Sequence, residues 1–187
     1  FSFEIKDAKT ILKTVVKKGG LILFVGTIPA AKDLVKTLGE KFGYPYVVER
    51  WLGGTLTNFK TIYQRLQYYL KLKSDRETGR LEKYTKKERV KFDKEIARLT
   101  VLFGGLALFT KLPDVLVVVS VSSHETTIRE ARRLKIPIIS LMSSDADPDL
   151  IDYPIPANDR ARSSISWILQ RLAKAIEEAK KEPIISN

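Results

Sequence analysis

The chain has 187 residues, 44% of them hydrophobic, so it can bury one good core, and one domain with an insertion is the expected organisation. Its 33 basic and 22 acidic residues give a formal net charge of +11, which favours a polyanionic partner, either nucleic acid or an anionic membrane surface. The lack of cysteine excludes disulfides and cysteine-based zinc sites, and no apolar run reaches the length of a membrane span.

The start of the sequence carries no recognisable secretory signal, because a basic start followed by an apolar core and a small-residue cleavage site is missing. The sequence begins at Phe1 and its one methionine is Met142. We therefore expect the natural start to lie upstream, which leaves a targeting segment undecided.

The first predicted elements alternate between helix and strand. Apolar positions at helical spacing indicate a helix that stops at Gly19, and the uninterrupted apolar run after it is typical of a strand buried on both faces. Pro29 suits the first turn of the next helix. In chain order we predict a helix over 5–18, a strand over 21–25, a helix from Pro29 to Phe42 and a strand over 46–48.

A long insertion with the periodicity of two helices follows. Apolar residues recur at spacings of three and four in each half, which places one apolar stripe on each helix. The stripes are Phe59, Ile62, Leu66 and Tyr69, then Phe92, Ile96, Leu99 and Phe103. Residues 74–79 predict a turn, and Thr85 with Glu88 predicts a capping box. We expect an antiparallel coiled-coil hairpin whose arms, at about 1.5 Å per residue, are roughly 30 Å long.

This insertion carries most of the net charge. Residues 56–104 contain 13 Lys and Arg against 6 Asp and Glu, or +7 of the chain's +11. One interpretation is a solvated helix pair that is merely soluble. The other is a basic arm laid along the phosphates of a nucleic acid.

The remaining elements again alternate. We predict strands over 114–119, 136–141 and 153–155. Ser122 and Glu125 indicate a capping box that opens a helix to Leu134, and Asn158 is the predicted N-cap of a long terminal helix. The core face of that helix is Ile165, Ile168, Leu172 and Ile176, and we expect the chain to fray from Lys180 onward.

Strands separated by helices imply a parallel sheet. The predicted fold class is α/β: a flavodoxin-like (Rossmann-like) parallel sheet with helices on both faces and an inserted α-helical coiled-coil hairpin. We assign residues 1–54 and 105–187 to the α/β body and residues 55–104 to the hairpin.

A doubly wound sheet invites a nucleotide-binding interpretation, because ligands bind beyond the carboxyl ends of such strands. The loop from Gly26 to Ala30 has one glycine where a dinucleotide fingerprint needs three, and it is not a Gly-Lys-Ser/Thr phosphate loop. An anion could still rest on that helix N-terminus. A nucleotide- or sugar-phosphate-binding α/β enzyme is the alternative function.

The residues before the hairpin offer two interpretations. Gly53 and Gly54 either bring the backbone close to a phosphate or form a turn with unusual dihedral angles, and we favour the turn. Trp51 is expected to seal the junction of hairpin and body. Arg50 is expected to pair with an acid or a phosphate.

No catalytic or metal-binding group emerges. The acidic loop 145–149 lacks the Gly and Glu of an EF-hand, so turn-forming and capping roles are expected for its carboxylates. His124 has no second His or Cys to complete a ligand set, and Ser120, Ser122 and Ser123 lack the Gly-x-Ser-x-Gly elbow. We predict no enzyme activity, cofactor or metal.

Two stretches of the chain carry a family likeness. Residues 50–62, Arg-Trp-Leu-Gly-Gly-Thr-Leu-Thr-Asn-Phe-Lys-Thr-Ile, resemble the most recognisable motif of the bacterial-type small-subunit ribosomal protein S-two family. Residues 147–156, followed by Asn158 and Asp159, resemble its second motif. The similarity extends from about Ile5 to Lys174.

The resemblance implies a structural constituent of the small ribosomal subunit that binds small-subunit ribosomal RNA and neighbouring ribosomal proteins, including the multi-domain ribosomal protein one where that exists. It implies no membrane partner, no homo-oligomer and a cytoplasmic ribosome, with an organellar ribosome as the alternative. A protein-interaction module, whose hairpin docks a partner helix, is a further rival. Ser120 and Ser143 stand where the family commonly has aspartates, and His124-Glu125 reverses its usual order.

On this interpretation basic side chains neutralise phosphates with little readout of base sequence. The predicted RNA-binding residues are Arg50, Lys60, Arg65, Lys86, Lys87, Arg89, Arg160 and Arg162, with Trp51, Gly53 and Gly54 in structural roles.

Overall fold

A computed structural model describes residues 2–182 of the chain. The secondary structure consists of α1 (Ser2–Lys17), β1 (Ile22–Val25), α2 (Lys32–Phe42), β2 (Tyr46–Val47), α3 (Phe59–Glu77), α4 (Lys86–Phe103), β3 (Val115–Val119), α5 (Glu125–Arg133), β4 (Ile138–Met142), a short 3₁₀ helix (Pro148–Leu150), β5 (Tyr153–Pro156) and α6 (Arg162–Lys180). The expectation of fraying beyond Lys180 falls mainly on residues 183–187, which lie outside the described residues.

The five strands form one parallel sheet in the order β2-β1-β3-β4-β5. A single row of paired residues crosses it, and β1, β3 and β4 are buried along their whole length. The row runs through Tyr46, Phe24, Val117, Ile139 and Tyr153. β5 contains Pro154 and Pro156, which an edge strand tolerates because one side of its backbone needs no partner.

Helices cover both faces of the sheet. The strand order reverses between β1 and β3, so right-handed crossovers place α2 and α5 on opposite faces. α6 packs against α1 and α2 on one face. The crossover from β2 to β3 contains α3 and α4. It moves across the sheet in the same direction as the β3-α5-β4 unit, so α3 and α4 emerge on the face that α5 covers. The α/β prediction is confirmed.

Several predicted element boundaries differ from the structure, and four of them concern the start or end of a helix. α2 begins at Lys32, since Ile28 O accepts the N–H groups of Ala31 and Lys32 in a turn that includes Pro29. α6 begins at Arg162 rather than after Asn158, whose side chain accepts from Arg160 N at 3.2 Å. The other two concern α3 and α5.

α3 continues through most of the predicted turn at 74–79 and ends at Glu77. The predicted Ser122 capping box is absent: α5 begins at Glu125 after His124, and no side chain caps it. The capping box at Thr85 and Glu88 is present, with the two bonds at 3.2 and 2.9 Å.

α3 and α4 pack against each other in antiparallel directions. Arg76 contacts Asp93 near the turn, while Tyr69 contacts Thr100 at 3.0 Å nearer the sheet. The predicted apolar stripes face each other, and Ile62, Leu66 and Leu99 are buried. At about 1.5 Å per residue, the 19 residues of α3 extend roughly 28 Å. We call α3, α4 and the turn between them the hairpin. Within residues 2–182, no helix combines the length and apolar character needed to span a membrane.

Candidate nucleic-acid interface

The loop that leads into the hairpin is fixed to α5 by one carboxylate, Glu130. Its Oε2 accepts from Trp51 Nε1 at 2.7 Å and from Gly54 N at 3.2 Å. Its Oε1 accepts from Leu56 N and Thr57 N at 3.1 Å each and from Thr57 Oγ1 at 2.9 Å. Glu130 is 7% exposed, so this is a buried charge that receives five hydrogen bonds. We call Glu130 and residues 51–57 the clamp.

The clamp also sets the charge state of Glu130. Burial by itself raises the pKa of this carboxyl, but the hydrogen bonds from Trp51, Thr57 and Gly54 act in the opposite direction and hold the pKa below its usual value. Glu130 is therefore ionised at neutral pH. Sequence reasoning missed it, although a carboxylate on the buried side of α5 beside Thr127 and Ala131 was a readable signal.

The two glycines of the clamp differ. Gly54 has φ +90°, a conformation that side chains rarely adopt, and a Cβ there would approach Asn58 Cβ to 3.1 Å. Gly53 is exposed, is not among the positive-φ residues, and a Cβ added there would meet nothing within 4 Å. The turn thus explains why glycine occurs at position 54, whereas neither packing nor backbone conformation explains the glycine at position 53.

His124 lies at the carboxyl end of the sheet between β1 and β3. Its Nε2 accepts from Thr27 N at 3.2 Å, and its Nδ1 lies 2.8 Å from Ser120 O. A backbone N–H can only donate and a carbonyl can only accept, so the ring is neutral with its proton on Nδ1. Burial lowers its pKa, and the ring is 3% exposed. The Thr27 N–H lies in the loop after β1, where a dinucleotide-binding sheet holds a phosphate, and is thus engaged by a side chain.

The ion pairs within the hairpin leave most of its cations unneutralised. Arg76 pairs with Asp93 at 2.6 Å, Arg98 with Glu95 at 2.7 Å and Arg80 with Asp75 at 3.3 Å. Glu88 is engaged in the helix cap. Within the hairpin, which the structure describes throughout, the ten basic residues outside these ion pairs are Lys60, Arg65, Lys71, Lys73, Lys83, Lys86, Lys87, Arg89, Lys91 and Lys94.

α4 presents an ordered row of cations to solvent. Lys87, Lys91, Lys94 and Arg98 are exposed and follow spacings of four, three and four. Phe92, Ile96, Leu99 and Phe103 follow the same spacings on the opposite side of the helix, towards α3. We call the four cations the basic stripe. At about 1.5 Å per residue it is roughly 16 Å long. Lys91 and Lys94 were not among the predicted RNA-binding residues, although the spacing was readable.

The predicted RNA-binding residues do not form one cluster. Arg50 is exposed and lines a cleft of about 530 Å³ with Gly53 and the start of α5. Lys60 and Arg65 are near the base of the hairpin, where the Arg65 guanidinium lies 5.5 Å from the Phe103 ring centroid. The others lie at the hairpin turn or at the start of α6.

Lys86 and Lys87 are exposed beside the turn, and Arg89 is turned towards the hairpin core. Arg89 is half-buried, and its Nε has no hydrogen-bond partner. Arg160 is exposed in front of α6. Arg162 is already engaged, because its two terminal nitrogens contact the Asp33 carboxylate at 2.7 and 2.8 Å. This bidentate pair lowers the pKa of Asp33.

The carboxylates of the acidic loop serve local structure. Asp147 accepts from Asp149 N at 2.9 Å, and Asp152 accepts from Ile138 N at 2.8 Å. Asp145 accepts a short hydrogen bond from Ser143, and this bond lowers its pKa. Among residues 2–182, no three or more His, Cys, Asp and Glu side chains are grouped so as to hold a metal ion.

These features define an α/β protein with a five-stranded parallel sheet and a long cationic helix pair clamped to it. The chain belongs to the ribosomal protein S2 family, whose sequence model matches residues 2–179.

Curated proteins named small ribosomal subunit protein uS2 are similar to it. A protein of this name from Thermus thermophilus is 42% identical over 177 residues, which cover 95% of this chain and 69% of that protein. The Coprothermobacter proteolyticus protein is 38% identical over 186 residues, 98% of this chain and 69% of that protein. The Dictyoglomus thermophilum protein is 41% identical over 177 residues, 95% of this chain and 72% of that protein.

Proposed function

We propose that the chain is a non-enzymatic structural constituent of the small ribosomal subunit that binds ribosomal RNA through the hairpin. Family membership supports the ribosomal role. The basic stripe carries the proposal for the RNA contact, because it is a row of exposed cations on a face that the fold leaves uncovered. Phosphate contacts of this kind give affinity and orientation with little base specificity.

The hairpin acts as an arm whose direction is set by the clamp. Trp51 and Gly54 hold its base to α5, while the stripe lies along its outer side. Domain boundaries of 1–54 and 105–187 for the body and 55–104 for the hairpin follow this division, and the facing apolar stripes support a coiled-coil geometry. Arg50, Lys60 and Lys86 extend the basic surface at both ends of the arm.

The proposed partners are small-subunit ribosomal RNA and neighbouring ribosomal proteins, with the multi-domain ribosomal protein one among them, and no homo-oligomer. The bacterial relatives support a cytoplasmic ribosome over an organellar one. The engagement of the Thr27 N–H by His124, at the carboxyl end of β1, disfavours the nucleotide- or sugar-phosphate-binding enzyme.

The test replaces Lys87, Lys91 and Lys94 together by alanine and measures binding to small-subunit RNA at several salt concentrations. Loss of three phosphate contacts is expected to reduce the slope of log K against log salt by about 2–3. The matched control replaces Lys6, Lys18 and Lys36, three exposed body lysines, and removes the same charge. Equal slopes for the two variants would overturn the proposed interface, and failure of the wild-type chain to sediment with small subunits would overturn the function.

A further inference from the structure

Trp167 is the exposed large aromatic residue of α6. Its side chain is 45% exposed, although α6 buries Ile165, Ile168 and Leu172 in the core. Packing within the described chain therefore does not account for an indole at this position. The hairpin lies on the other side of the sheet, so Trp167 belongs to a different surface from the basic stripe.

One side of the indole is covered by a cation. The Arg171 guanidinium carbon lies 3.3 Å from the ring centroid, and Arg171 Nη1 donates to Trp167 O at 3.0 Å. The hydrogen bond fixes the guanidinium above the ring, so the two planar groups form a preordered stack.

The other side of the indole faces a shallow depression of about 380 Å³ lined by Ser163, Ser164, Trp167 and Ile168. The serines precede Trp167 by one helical turn, whereas Arg171 follows it by one turn. Since helical side chains lean towards the N-terminus, the ring stands between the guanidinium and the depression. A flat group that enters the depression meets an aromatic face with hydroxyls at its edge.

The charge along this part of α6 is positive. Between Ser163 and Ile176, α6 carries Arg171 and Lys174 and no acidic residue, while the charge of Arg162 is paired with Asp33. Glu177, the first acid of α6, lies 3.8 Å from Lys41 Nζ. The ligand is thus expected to combine a planar ring with negative charge.

We propose that Trp167 and Arg171 stack an unpaired base of single-stranded RNA, with the adjacent cations attracting its phosphates. Aromatic faces backed by arginine bind bases in this way without strong sequence preference, because every base has a π face. The depression also includes Ile168, but the Arg171 guanidinium on the indole and the hydroxyls of Ser163 and Ser164 favour a base over an apolar protein side chain. This inference rests on the proposed RNA-binding function and adds a second contact on the opposite side of the sheet.

The chain contains two tryptophans, so fluorescence can report on Trp167 directly. In Trp51→Phe the remaining signal comes from Trp167, and in Trp167→Phe it comes from Trp51. Tetrauridylate is expected to quench the first variant saturably and to leave the second unchanged. Inorganic polyphosphate, an anion without bases, is expected to leave both unquenched.

Affinity provides an independent readout that does not rely on the Trp51 variant. Trp167→Ala is expected to weaken tetrauridylate binding by about 5- to 100-fold, as for loss of one stacked base. Tyr68→Ala is the matched control, since Tyr68 is a 53% exposed aromatic residue on the hairpin, and its effect is expected to be smaller.

Tetrauridylate binding without Trp167 quenching, or equal affinity of Trp167→Ala and wild type, would overturn the stacking site. Quenching by polyglutamate but not by tetrauridylate would also overturn it and indicate a protein partner. The failure of this inference can be distinguished from the failure of the proposed function. If small-subunit RNA binds to the wild type and binds more weakly to the hairpin triple variant, but tetrauridylate does not quench the fluorescence of Trp167, then this inference alone is wrong.

Discussion

Trp51 Nε1 donates to Glu130 Oε2 at 2.7 Å across 79 residues of sequence. This contact joins the entrance of the hairpin to α5, a helix that follows the hairpin in the sequence. Trp51, which lies in the motif of residues 50–62, and a carboxylate outside that motif therefore act as one unit.

Glu130→Gln is expected to destabilise the protein. The amide keeps the shape but replaces a charged acceptor of five hydrogen bonds with a group that has one acceptor and one donor end. Bonds to charged groups contribute about 1.5–3 kcal/mol each, and partial rearrangement leaves an expected loss of about 3 kcal/mol. Denaturant unfolding measures it. The control is Glu125→Gln, which affects only an exposed residue at the helix start, and equal losses would argue against the clamp.

Acidification is expected to destabilise the protein through His124, the one histidine of the chain. Burial lowers its folded-state pKa, so the unfolded chain, with a histidine pKa of about 6.5, binds the proton more tightly. This contribution to stability is complete above that pH and decreases as the pH falls through it.

The free energy of unfolding should decrease by up to about 1.4 kcal/mol per pH unit below pH 6.5. Unfolding measured from pH 7.5 to 5.5 tests this, with His124→Gln as the variant that removes the slope. If the free energy of unfolding of His124→Gln depends on pH as steeply as that of the wild type, another group causes the effect. Glu130 affects stability at lower pH than His124 does. Because its pKa is lowered in the folded protein, its contribution to the free energy of unfolding is complete above the ordinary carboxyl pKa and is lost as the pH falls through the pKa of the folded state.

Gly53→Ala and Gly54→Ala are expected to differ in stability. Alanine at Gly54 must adopt φ +90°, which costs about 1–2 kcal/mol for a non-glycine residue, and its Cβ crowds Asn58. Alanine at Gly53 meets open space and is expected to be neutral or to stabilise by up to about 1 kcal/mol. Thermal unfolding compares them. A stable Gly53→Ala variant with weakened RNA binding would show that this glycine permits close approach of a phosphate.

Arg89 and Lys91 are expected to separate stability from RNA binding. Arg89 faces the hairpin core, so Arg89→Ala should lower stability and change the salt dependence of RNA binding little. Lys91 is exposed in the basic stripe, so Lys91→Ala should reduce the salt slope by about 0.7–0.9 and leave stability within about 0.5 kcal/mol. Paired unfolding and RNA titrations measure both, and the reverse outcome would place the RNA on another side of α4.

The sequence predicts what depends on periodicity and misses what depends on distant partners. The runs at β1 and β3 are apolar throughout because both faces of those strands are covered, and the stripes of the hairpin follow the helical repeat. The cap at Thr85 was predictable because its two partners lie three residues apart.

Asn158 and Ser122 looked equally suitable as caps. The Asn158 side chain instead accepts a hydrogen bond from Arg160 N. At α5, the residue before the helix is His124, whose ring contacts Thr27 and Ser120. The partners of Glu130 could not be predicted, because they lie 73 to 79 residues away in the sequence. Those partners are set by topology, which local spacing does not encode.

The clamp also imposes an order on biosynthesis. Its donors, from Trp51 to Thr57, leave the synthesising ribosome 73 to 79 residues before Glu130 does. The two arms can coil on each other early, since their contacts are local, but they gain a fixed direction only when α5 has emerged. A nascent chain truncated before α5 would carry a formed arm with no set orientation, so docking onto a rigid template would wait until α5 has been synthesised.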